Sequence, residues 1–131
     1  MVVAPYSNIA LIELASEFHI PPQDVFGPEP DHDWCYYYEK ASLARQQEKW
    51  EEVIRLGNEA LQNGFSPQDD IEWMPFLQAY ARAGDVERLD RIRRIMKNAD
   101  PYVVLQVCQS LNRMTGLSQD TADVIQAFCA E

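Results

Sequence analysis

Residues 73–97 read WMPFLQAYARAGDVERLDRIRRIMK, and this stretch decides the fold. Trp73, Phe76, Leu77 and Tyr80 recur every three or four residues, the spacing that places side chains on one face of an α-helix. Ala83-Gly84 stops that helix, because glycine accepts the left-handed backbone of helix ends. Asp85 then caps a second helix, on which Val86, Leu89, Ile92 and Met96 form another apolar stripe. Pro75 lies inside the first stripe. Either the regular helix starts near Glu72 with Pro75 in its first turn, or the helix kinks at Pro75. A single helix hairpin cannot bury its own apolar faces, so neighbouring hairpins must stack on this one.

The flanking sequence supplies them. Upstream, Asp31 or Asp33 caps a helix from Trp34 to about Gln47. Lys49 to Gln62 follows, with Trp50, Val53, Ile54, Gly57, Ala60 and Leu61 on one stripe, and Asn63-Gly64 ends it. Ser66-Pro67 reads as a cap followed by a first-turn proline for the helix that carries Trp73. Downstream, Asp100-Pro101 opens a helix with Val104, Leu105, Cys108 and Leu111 on its stripe. Thr115-Gly116 ends that helix, and Ser118 caps a last one with Ala122, Ile125 and Phe128 or Cys129 as its apolar face. Placing Trp50 over Val86 aligns two hairpins at a period of 36 residues, with a third hairpin from Pro101 to Ala130. No segment alternates as a half-buried strand does. Tyr36-Tyr37-Tyr38 has strand-like propensity, but the residues after it favour helix. The expected fold is therefore all-α, with three antiparallel helix pairs and Trp50, Trp73 and Tyr80 as core anchors.

The first quarter of the chain is different. Leu11, Leu14, Ala15 and Phe18 share a helical face that Ser7 or Asn8 could cap. From Ile20 to Asp33 the chain holds Pro21, Pro22, Gly27, Pro28, Pro30 and four acidic residues, which reads as an extended or turn-rich connector. The expected organisation is an N-terminal segment and connector over 1–33, packed on a repeat domain over 34–131, one compact domain in all.

Composition bounds the function. The 131 residues include 11 basic and 21 acidic ones, a net charge of −10 that disfavours non-specific binding to nucleic acid or to anionic membranes. No apolar run approaches the roughly 18–20 residues that a membrane span needs, so direct membrane insertion is not expected. The first residues, Met1 to Asn8, lack the basic segment and cleavage pattern of a signal peptide. Three cysteines, Cys35, Cys108 and Cys129, are odd in number and show no Cys-x-x-Cys, so they read as free, core-filling residues rather than as a disulfide framework or zinc site.

The hairpins resemble the tetratricopeptide repeat. Its motif runs Trp-x-x-aliphatic-small-x-x-Tyr, Gly-Asp at the turn and Pro after the second helix. Trp73, Phe76, Leu77, Tyr80, Gly84-Asp85 and Pro101 occupy those slots. Leu77 departs from it where a small residue is usual, and Leu89 and Arg93 depart where alanine and an aromatic are usual. The first hairpin fits through Tyr37, Ala41, Ala44, Trp50 and Ala60; the third fits least. The resemblance spans residues 34–130 and implies an α-solenoid whose first helices line a concave groove. Carrying the family's groove slots over gives Tyr38, Ser42 and Arg45 from the first pair and Met74, Gln78 and Arg82 from the second. They suit an extended peptide of some acidic character.

A second resemblance rests on Phe26-Gly27-Pro28-Glu29-Pro30, Trp34 to Ala41, Ala44-Arg45-Gln46 and Trp50-Glu51. These look like the soluble C-terminal region of large bacterial polytopic membrane proteins of glycosyltransferase type. That likeness implies a soluble accessory domain attached to a membrane protein, with the catalytic part elsewhere.

No constellation points to catalysis. Asp31, His32, Asp33 and Cys35, with or without His19, fit no ligand spacing, and the aspartates have a simpler use as caps. Neither histidine stands at a triad spacing. Asp69-Asp70 and Glu51-Glu52 fall at helix starts, where negative charge favours the dipole. The five glycines are isolated, so there is no phosphate loop. No cofactor or metal is expected, and the chain reads as a protein-binding or scaffold module rather than an enzyme. Residues 82–97 carry six basic and three acidic side chains. Arg88, Arg91 and Arg94 are three apart and form a solvent-side ridge, either a solvated face or a dock for an acidic partner such as a second copy of the chain.

Overall fold

A computed structural model describes residues 22–130 of the chain. Asp33 starts the helical part. Its carboxylate accepts from the backbone N–H groups of Cys35 and Tyr36, and α2 runs from Trp34 to Gln46. Six further helices complete the described chain: α1 (Gln23–Phe26), α3 (Trp50–Gln62), α4 (Met74–Ala83), α5 (Val86–Ile95), α6 (Pro101–Leu111) and α7 (Gln119–Cys129). Strands are absent among the described residues. None of the described helices is long and apolar enough to cross a membrane.

Backbone contacts divide the chain between Asp31 and His32. In the first unit, the connector holds one helical turn that its prolines had argued against. Pro22 precedes α1, and Gly27 ends it at φ 76°. Val25 and Phe26 are exposed there. The expected helix over Leu11–Phe18, and its packing on the first helix pair, lie outside the described residues.

In the second unit, α2 packs on α3, α3 on α4, α4 on α5, and α7 on both α5 and α6. The first helices α2, α4 and α6 lie side by side in that order, with α4 touching both others. One apolar core runs from Trp34 and Tyr37 through Trp73, Phe76 and Tyr80 to Ile92, Val107 and Phe128. Trp34 meets Trp73 edge-on at 4.8 Å between ring centroids, and its Nε1 donates to Glu72 at 2.7 Å. Gly57 sets the spacing of α3 and α4. A Cβ there would lie 2.6 Å from Phe76 and 2.7 Å from the Tyr80 hydroxyl, so only glycine permits this approach.

Several expectations need correction. Trp50 is half-buried rather than a core anchor, because it opens α3 at the edge of the molecule. Leu56, missed in the sequence, fills the α3 stripe instead. Asp69, not Ser66, caps the segment before α4: its carboxylate accepts from the Ile71 N–H at 3.1 Å and starts a 3-10 turn, Asp70–Trp73. Pro75 then falls in the first turn of α4, where its missing N–H costs nothing. On α6 the buried stripe includes Val107, while Leu105 is 53% exposed. On α7, Thr121 is buried and Ala122 exposed. The cysteines are not three free core residues. Cys108 and Cys129 form a disulfide between α6 and α7, and Cys35 is free and exposed. An antiparallel hairpin brings residues 21 apart onto facing turns, a pairing that no local cysteine spacing announces.

Candidate functional site

Helix α4 is buried nearly all round. Pro75, Phe76, Leu77, Ala79, Tyr80 and Ala81 are in the core. What remains open to solvent is a narrow stripe at helical spacing, Met74, Gln78 and Arg82, together with Ala83 at the helix's end. Met74, Gln78 and Arg82 are the three groove positions expected on this helix, and the burial of Pro75–Leu77 and Ala79–Ala81 leaves this stripe as its main open face.

The stripe is joined to its neighbours on both sides. The Arg45 guanidinium of α2 donates to the Gln78 side-chain carbonyl at 3.2 Å. The Gln78 amide nitrogen donates to the Ser110 hydroxyl of α6 at 2.6 Å. The three residues sit 33 and 32 positions apart in sequence, one on each first helix. They form a polar ladder across α2, α4 and α6. Sequence reading placed Arg45 and Gln78 together but missed Ser110.

The other expected groove residues take separate positions. Arg82 lies over the ring of Trp50, the first residue of α3, 4.5 Å from its centroid. Tyr38 and Met74 are half-buried against the core. Ser42 is half-buried and borders a shallow hollow with Glu39, Lys40, Leu43 and Gln46. Among the three tyrosines of α2, Tyr37 faces the core with Ala41 and Ala44, as their spacing requires. Its hydroxyl donates to Glu59, and burial together with that carboxylate raises its pKa. Tyr36 stacks on His32 with ring centroids 3.5 Å apart, and the Lys40 ammonium lies 4.5 Å from the Tyr36 centroid and donates to its hydroxyl at 2.8 Å.

The basic ridge on α5 is held by the helix's own acids. Arg88 bonds Asp85 at 2.6 Å, which raises its pKa, and it lies over the Tyr80 ring. Arg94 and Arg93 both pair with Asp90 at 2.8 Å. Exposed Arg91 borders a small hollow of about 130 Å³ with Asn58, Leu61, Gln62 and Arg88. The ridge is thus a laced surface, with Asp85 and Asp90 taking up two of its three arginines.

Two clefts flank the third hairpin. One, of about 580 Å³, lies between Leu111, Met114 and Leu117 on one side and Ile125 and Cys129 on the other. The second, of about 360 Å³, is lined by Met96, Val104, Leu105, Phe128 and the two disulfide cysteines. No cluster of three or more His, Cys, Asp or Glu side chains that could hold a metal occurs among the described residues. Comparison with protein-family models, with curated proteins and with solved structures found no match to this chain.

Proposed function

We propose that this chain is a protein-interaction module that takes an extended peptide or partner segment across α2, α4 and α6, without chemistry of its own. The ladder Arg45–Gln78–Ser110 carries this reading. A glutamine amide has two donor hydrogens and a carbonyl with two lone pairs, and a guanidinium has five N–H groups. The two ladder bonds therefore leave donors and acceptors spare, in a row that crosses three helices. An extended backbone laid along that row meets alternating polar partners, and the half-buried Tyr38 and Met74 beside it offer apolar contact. Arg45 and Arg82 are the charged groups among these positions, a local positive pair that favours a peptide with acidic side chains against the chain's overall charge of −10.

The architecture in this reading is a tetratricopeptide-like array of three antiparallel helix pairs. Its support is the side-by-side order of α2, α4 and α6, and the left-handed Gly84 at the α4–α5 turn. Gly57, on α3, supplies the close helix approach that the family's small residue provides where this chain has Leu77. The test is selection of a phage-displayed library of extended peptides on the full chain. Recovered peptides rich in Asp and Glu are expected, with affinity falling at least tenfold for Arg45→Ala plus Gln78→Ala and unchanged for Arg91→Ala. Equal affinity for the ladder variant would overturn the assignment.

A further inference from the structure

The disulfide ties the two helices of the third hairpin to each other and to no other hairpin. The buried core spans α2 to α7, and the whole first and second hairpins fold without any cysteine in their interior. The bond joins Cys108, eight residues into α6, to Cys129, the last residue of α7. Leu111 and Ile125 face the same cleft, so the pairing continues antiparallel from the bond toward the loop. In the other direction, the first two turns of α6 run past the end of α7. Tyr102 and Leu105 stand 78% and 53% exposed there.

Helix α7 packs on α5 and α6, and among the described residues its side-chain hydrogen bonds Ser118–Thr121 and Gln119–Asp123 lie at its own start. Toward its C-terminus Gln126, Ala127 and Ala130 are exposed, and Phe128 is the buried contact. The bond itself is within reach of solvent. Cys129 is half-buried and borders both clefts, whereas Cys108 borders one and is 7% exposed.

We propose that Cys108–Cys129 is a reversible thiol–disulfide exchange site, a clamp that a dithiol reductant opens to release the last turns of α7. The reductant's thiolate attacks Cys129 Sγ from the cleft side, and the S–S bond breaks with Cys108 leaving as thiolate. The second thiol of the reductant resolves the mixed disulfide. Two electrons pass to the protein, both cysteines end as thiols, and the dithiol ends as a disulfide. With the clamp open, Phe128 is held by packing alone. Opening this turn widens the cleft beside Val104 and Leu105 and joins it to the exposed apolar start of α6.

The test uses the full chain bearing Cys35→Ser, so that the exposed third thiol cannot cross-link. In a mildly oxidising glutathione buffer, no free thiol per denatured chain is expected, and two after dithiothreitol. Hydrogen exchange read by mass spectrometry is expected to show the amides of α7 exchanging at least tenfold faster after reduction, while those of α2 to α4 keep their rates. Cys129→Ala, a change at a half-buried position, should give the reduced pattern in oxidising buffer. Two free thiols under oxidising conditions would overturn the proposal. So would equal α7 exchange in both states, or loss of protection across the whole chain on reduction, which would make the bond a staple of the fold.

Discussion

At Gly57 a single hydrogen atom decides how α3 meets α4. Phe76, the nearest neighbour of an added Cβ, is fully buried and cannot swing aside. Gly57→Ala gains helix propensity of about 1 kcal/mol, yet overpacking of this kind costs about 1–3 kcal/mol. A net loss of stability is expected, read as a lower urea midpoint; an unchanged or higher midpoint would show that the two helices can separate freely. Trp73 is a sharper case. It is 1% exposed, and its Nε1 finds no acceptor among the described residues. Trp73→Ala should cost about 3–5 kcal/mol. Trp73→Phe keeps the ring and removes a donor whose burial is itself unfavourable, so it should cost less than half as much in the same titration. Tyr80 couples the core to pH. Burial pushes its pKa up to about 12, and its hydroxyl donates to Asn58 at 3.1 Å. Below about pH 10 this tyrosine is protonated whether the chain is folded or not. Above that, the unfolded chain ionises first, so stability is lost between about pH 10 and 12. The loss should approach about 2–3 kcal/mol, and Tyr80→Phe should flatten that part of the pH profile of the urea midpoint. Tyr37, raised in the same direction, leaves a residual slope.

Helix ends in this chain are governed by short polar side chains, and Asp85 shows how. Its carboxylate accepts from the Arg88 N–H at 3.1 Å and also pairs with the Arg88 guanidinium. Asp85→Ala should therefore cost about 1–2 kcal/mol, while Asp85→Asn, which keeps the cap, should cost less. Comparing their thermal midpoints checks the assignment, and equal losses would show that the ion pair dominates. The same chemistry explains which elements could be read from the sequence. Asp33, Asp85, Asp100 and Ser118 each cap the helix expected of them, because a capping side chain needs only local backbone N–H groups. Asp69 displaced Ser66 because Asp70–Trp73 forms a 3-10 turn that stands before Pro75. Faces were harder than ends. Helix α6 has no charged residue from Pro101 to Leu111 and only Gln106 and Gln109 mark its solvent side, too few to separate exposed Leu105 from buried Val107. The disulfide and the Ser110 rung depend on helix register between elements, which local spacing does not contain. The ladder was half legible: Arg45 and Gln78 came from the groove slots that the tetratricopeptide resemblance implies, and the third rung did not.

Across the whole molecule, the contiguity of the core governs how the chain unfolds. The buried cluster passes without a break from Trp34 in α2 to Phe128 in α7, and α4 touches both α2 and α6. In an array where each hairpin leans on its neighbour, losing one exposes the apolar face of the next. With the disulfide closed, the third hairpin is tied internally as well, which reduces the entropy its unfolded state would gain. Residues 32–130 should therefore unfold in one cooperative step. The positions of the tryptophans make this measurable. Trp34, Trp50 and Trp73 all lie before or within the start of α4, so fluorescence reports the first two hairpins alone. Far-ultraviolet dichroism reports every helix, α6 and α7 included. Under oxidising conditions the two probes should give superimposable urea transitions. If dichroism falls first, while fluorescence keeps its native signal, the third hairpin is a separate folding unit and the single-step expectation is wrong. After reduction the expectation changes in a definite direction. Release of the last turns of α7 removes part of the helical signal before the tryptophans sense anything, so dichroism should lead fluorescence, by an amount set by those turns and no more.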